Sequence, residues 1–151
     1  SAASDVYKRQ LPLWLAAAWA MSLSMLGFLV VPMLFVHLPT PAMAGQMAAK
    51  LFTAQTWLSV ACGVLLLLVF RSNKALAPVD TAQTATLFVV AGVLLALLVE
   101  LAVAPRIVAR ENLALWHKVG SAMYFAQWLC ALLVFGKLTR AASSPPAVEQ
   151  A

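Results

Sequence analysis

The sequence predicts an all-α integral membrane protein: a four-helix bundle with a short interfacial helix before its second span. Three observations carry this. Only 10% of the 151 residues are charged and 64% are hydrophobic, whereas a soluble domain is about a quarter charged. Mean hydropathy is +0.92, and the apolar residues gather into four runs, each near the roughly 20 residues that cross a bilayer. Finally, the charges sit in the breaks between runs, where topology determinants belong. One bundle fits this length, with no separate soluble domain. The net charge of +5 is therefore no nucleic-acid signal. Cys62 and Cys130 lie inside apolar runs, form no CxxC pair and read as small apolar residues.

The segment Asp5-Val6-Tyr7-Lys8-Arg9-Gln10 reads as the translation of a transposon end used in sequencing-library preparation. Residues 1–10 are therefore expected to be a sequencing or assembly scar and are left out of the fold reasoning. The first span runs over about 11–36. Trp14 marks an interface, and Ala16, Ala20, Ser24 and Gly27 form a small-residue stripe for close helix packing. Pro32 frees a backbone carbonyl and is expected to kink the last turn. His37 closes the helix before the turn Pro39-Thr40-Pro41. Over 42–51 the pattern changes: Met43, Met47 and Leu51 share one face, Gln46 and Lys50 another. That suits a short helix lying at the interface.

The second span covers about 52–70. Gln55, Thr56 and Ser59 lie in its first half and lipid-like residues fill its second. Arg71, Asn73 and Lys74 stop it; Pro78 and Asp80 mark a turn. The third span covers about 83–103, with Gly92, Ala96 and Glu100 four residues apart on one face, so Glu100 is expected to look toward other helices. Pro105 is expected to end it, and Arg106, Arg110, Glu111 and Asn112 make the next loop. The fourth span covers about 115–138, with His117, Ser121, Tyr124 and Gln127 or Trp128 on one face. Residues 141–151, with Pro145-Pro146, read as a disordered tail. Lys50, Arg106, Arg110 and Lys118 balance Arg71, Lys74, Lys137 and Arg140, so the positive-inside rule assigns no orientation.

Connectivity brings His37, Gln55, Thr56, Ser59, Glu100 and His117 to one end of the bundle. A polar pocket or vestibule is expected there, with a sealed apolar half opposite. Glu100 is costly inside a membrane and needs a partner; Arg106, His117 and the hydroxyls of the second span are the candidates. The pair either fixes helix register or handles a proton or ligand. Any site would be lined by Glu100, Arg106, Arg110, His117, Tyr124 and His37. Met33, His37, Met43 and Met47 offer a soft ligand set for monovalent copper, and His37 with His117 could bracket a haem, although neither histidine stands in an HxxxH motif. No cofactor is announced. With no Gly-rich phosphate loop, paired carboxylates or nucleophile elbow, the chain is not expected to be an enzyme.

Trp14, Pro32-x-Leu34-Phe35, Ala44-Gly45 before the second helix, an acid in the third span, Pro105-Arg106-Ile107 and Leu115-Trp116-His117 together carry a resemblance. Over about 11–138 the chain resembles the bacterial domain of unknown function 4149 family, related to transmembrane protein 205. The resemblance implies a small four-helix protein of the bacterial inner membrane. The eukaryotic relative's association with resistance to platinum drugs adds a hint of export or metal handling. The expected role is an accessory or structural membrane protein, in a homo-oligomer or beside another membrane protein, with a small transporter or a copper- or haem-handling protein as the alternative. A structural Glu100 predicts that Glu100→Gln lowers thermal stability and changes nothing else, whereas a transport role predicts a flux phenotype in folded protein.

Overall fold

The computed structural model describes residues 2–72 and 79–143, with side chains described over 10–72 and 82–143. Four helices make up this part of the chain. The first, α1, runs Ala2–Met25, widens into a π-turn over Leu26–Val30 and ends with Val31–His37. Helix α2 is Pro41–Ser72. Helix α3 runs Val79–Leu98, passes through a second π-turn over Val99–Val103 and finishes with Ala104–Val108. Helix α4 is Leu113–Ser143. Within them Gln10–His37, Pro41–Ser72, Ala82–Val108 and Leu113–Ser143 are long and apolar enough to cross a membrane, because with no water in the hydrocarbon layer the backbone must satisfy its own hydrogen bonds.

Each helix packs on its sequence neighbours, and α4 closes the ring on α1. The centre is filled by Ala16, Trp19, Ala20 and Leu23 of α1, Cys62 and Leu66 of α2, Val89 of α3, and Ala131 and Val134 of α4. The small stripes do what their spacing predicts. Gly92 lies against the Trp19 ring, 2.6 Å from where its own Cβ would be, and Gly63 leaves room for Val93 where a Cβ would collide with it.

Both π-turns end two residues before a proline. Pro32 and Pro105 supply no N–H, so the carbonyls four residues earlier, at Phe28 and Leu101, lose their α-helical donor. Both carbonyls fall inside the widened turns, so the helix absorbs the missing bond by opening its pitch. The proline disturbance expected in the last turns of the first span therefore takes the form of a π-turn. The expectation that Pro105 ends the third span is corrected, for the helix continues to Val108.

Two further boundaries differ from expectation. There is no separate interfacial helix, for α2 is continuous from Pro41. Its buried face, Ala44 and Ala48, runs straight on into Gln55 and Ser59 at helical spacing, and nothing between 42 and 51 breaks a helix. The last helix reaches Ser143, three residues into the expected tail; 144–151 lie outside the described residues, as does most of the turn expected around Pro78. The backbone over 2–10, expected to be foreign, continues α1.

The two helical hairpins repeat one another. From α1 to α3 the offset is 73: π-turn Leu26–Val30 maps onto Val99–Val103, and Pro32 onto Pro105. Buried Pro12, Ala16, Trp19 and Leu23 map in the same way onto buried Ala85, Val89, Gly92 and Ala96. From α2 to α4 the offset is 72: the helix start Pro41 maps onto Leu113, and buried Gln55, Ser59 and Cys62 map onto buried Gln127, Ala131 and Val134. Since α1 and α3 run in the same direction, the halves are related by an axis along the membrane normal. Equivalent residues meet across it: Trp19 with Gly92, and Phe52 with Tyr124, whose ring centroids are 5.2 Å apart.

Candidate functional site: an intramembrane polar frame and Glu100

Polar side chains inside this bundle are spent mainly on one another. Gln55 donates through Nε2 to Ser22 Oγ at 2.9 Å and reaches Ser59 Oγ at 3.4 Å. Gln127 donates to the same Ser59 oxygen at 2.9 Å, and Ser59 donates to Gln55 O. Three helices are thus joined in one chain, with the two equivalent glutamines converging on a single hydroxyl. Trp128 donates to Ser24 Oγ at 2.9 Å, tying α4 to α1 again. The Trp19 indole N–H is the one buried side-chain donor without a partner among the described residues.

The Tyr124 hydroxyl enters the α1 backbone beside its π-turn. It donates to Leu23 O at 2.8 Å and lies close to the Gly27 amide. A Cβ on Gly27 would stand 2.7 Å from Tyr124 Cε1, so only glycine admits the ring there.

Glu100 lies in the second π-turn and is half-buried. Thr53 Oγ1 spans both carboxylate oxygens, 2.9 Å from Oε1 and 3.1 Å from Oε2. The sequence names the hydroxyls of the second span as candidates, yet singles out Thr56 and Ser59 and passes over Thr53. Depth would have put it among the candidates. Thr53 lies 19 residues before the end of α2 and Glu100 lies 21 after the start of α3, so both are nearly the same distance from the turn joining these helices.

The six residues expected to line one site are not brought together. Arg106 is exposed, donates to Ala102 O and lies 4.6 Å over the Trp116 ring; it does not pair with Glu100. Arg110 is an exposed loop residue with φ 57°. His37 and His117 are exposed at helix ends, as is Ser121 a turn further on, so the face expected to join His117 to Tyr124 turns from solvent into the bundle along its length. Tyr124 serves α1 instead of Glu100. No group of three or more His, Cys, Asp or Glu gathers among the described residues, and Met33, Met43 and Met47 point outward. The half expected to be sealed carries a groove of about 570 Å³ between α2 and α3, lined by Leu67, Phe70, Arg71, Ala82, Thr86 and Leu87.

Four apolar helices, a packed centre and an internally satisfied polar frame define a multi-pass α-helical membrane protein. Residues 14–115 match the sequence profile described as "Domain of unknown function (DUF4149)". The chain belongs to that family, as the motifs from Trp14 to Leu115 lead one to expect. No match was found among curated proteins or among solved structures.

Proposed function

We propose that this protein is a non-enzymatic accessory or structural component of the bacterial inner membrane, acting through its lipid-facing surface on a second copy or another membrane protein. The observation that carries this reading is the hydrogen-bonded chain Ser22–Gln55–Ser59–Gln127. Interhelical bonds of this kind fix rotation and register where lipid supplies no competing donor. A carrier that alternates access needs its halves to rock against each other around a site at mid-membrane. Here the two halves are knotted at that depth, and Trp19 fills the space between them.

The test is a distance distribution between spin labels on Val36 and Val108, both exposed at the loop-side helix ends, in a background where Cys62 and Cys130 are alanine. The accessory reading expects one narrow population in nanodiscs, unchanged by pH, sodium or copper. Two populations that exchange with any of these would replace it with the transporter reading.

A further inference from the structure

The two hairpins agree in buried register, π-turns and prolines, so the positions where they disagree are informative. The residue equivalent to Glu100 is Gly27, 73 positions earlier. The first half closes its π-turn with a neutral group: Tyr124 crosses from α4 and donates to Leu23 O. In the second half the ring equivalent to Tyr124 is Phe52, which has no hydroxyl to give. The same place is taken by a carboxyl whose hydrogen-bond partner among the described residues is Thr53.

Depth makes this unusual. Counting about 1.5 Å per residue, Glu100 lies roughly 12 Å inside the loop-side end of a helix about 40 Å long. The hydrocarbon layer is about 30 Å thick, so the carboxyl lies several Å below the headgroups. An ionised group there calls for a counter-charge, and none stands beside it among the described residues. No lysine, arginine or histidine nitrogen among the described residues lies within the 4.0 Å of an ion pair to it. On α3, Arg106 is spent on Ala102 O and the Trp116 ring. On α2, Lys50 is exposed one turn before Thr53; on α4, His117 and Lys118 are exposed and Tyr124 faces Leu23; on α1, His37 is exposed at the helix end. A hydroxyl suits both states of a carboxyl, donating to the anion and accepting from the acid.

We propose that Glu100 is a proton-binding site, with Thr53 as its positioning residue: the second half exchanges a proton with the loop-side water where the first half is sealed by Tyr124. This goes beyond the accessory role and does not depend on it.

Labelling with dicyclohexylcarbodiimide, a membrane-permeant reagent selective for protonated carboxyls in apolar surroundings, tests it on the full chain in liposomes. The carboxyl proton moves to one carbodiimide nitrogen, the carboxylate oxygen bonds the central carbon, and an O-to-N shift leaves a stable N-acylurea that retains every atom. Mass spectrometry then reads the modified peptide. Glu100 is expected to be labelled well above exposed Glu111, to lose label about tenfold per pH unit once mostly ionised, and to lose it entirely in Glu100→Gln. Thr53→Val removes the hydrogen-bond partner of the carboxyl, so the pH profile of labelling changes, and Thr53→Ser returns the wild-type profile. Glu100 labelling that is absent at every pH where the bundle stays folded, equal to that of Glu111, independent of pH, or unaffected by Thr53→Val would overturn the proposal. The spin-label distances read helix movement and this reagent reads one carboxyl, so either proposal can fail alone.

Discussion

The first hairpin and the second place the same three devices at matching depths, namely a buried small-residue face, a π-turn and a proline, yet close that turn with different chemistry. Against α1 the closing group is a phenol on a backbone carbonyl. Against α3 it is a carboxylate on a threonine hydroxyl. The phenol closure is tight enough to require glycine at 27; the carboxyl closure leaves Glu100 half-buried. Packing therefore explains what the halves share, and an ionisable group in place of a phenol is what distinguishes them.

The largest effect should come from the shared feature. Gly92→Leu drives a side chain into the Trp19 ring, and overpacking of this kind costs about 1–3 kcal/mol. A clear fall in Tm in mild detergent is expected; an unchanged Tm would mean the centre is looser than the Trp19–Gly92 contact implies. Next comes the phenol closure. Tyr124→Phe removes one interhelical hydrogen bond, worth about 0.6 kcal/mol on average in a membrane protein. Gly27→Ala should cost more in the wild type than in Tyr124→Ala, because the clash needs the ring. A double-mutant cycle reads that coupling, and strict additivity would break the link between them.

The smallest effect belongs to the carboxyl closure. Glu100→Gln keeps a carbonyl for Thr53 to donate to, so the expected loss is below about 1 kcal/mol, less than a typical net hydrogen bond. A Tm drop as large as that of Gly92→Leu would make Glu100 a register-fixing residue and blur the contrast between the halves.

Much of this is legible in the sequence. Long apolar runs set the four spans, and the Gly92-Ala96-Glu100 spacing placed an acid against a neighbouring helix. What stayed hidden depends on helix rotation. Thr53 and Thr56 are both hydroxyls near the right depth, and which one meets Glu100 follows from how α2 is turned against α3, set partly by Gly63 on Val93. Arg106, His117 and His37 share an end of the bundle with Glu100 but point around its outside, which connectivity alone does not reveal. The repeat was present as Pro32 with Pro105 and Ala54-Gln55 with Ala126-Gln127, two short signals in an apolar background that only the matching buried faces connect.

If the halves are equivalent across a central axis, the indole that fills the centre can be supplied from either side. Thermal unfolding of Trp19→Gly, Gly92→Trp and the double swap tests this most directly. Trp19→Gly alone empties the core and should cost about 3–5 kcal/mol, the range for removing a buried tryptophan. Gly92→Trp alone overfills it. The double variant, with the ring now on α3 facing a glycine on α1, should recover most of the stability lost in either single variant. A double variant no better than the sum of its parts would contradict the two-fold account, leaving Trp19 and Gly92 as an ordinary contact between unrelated helices.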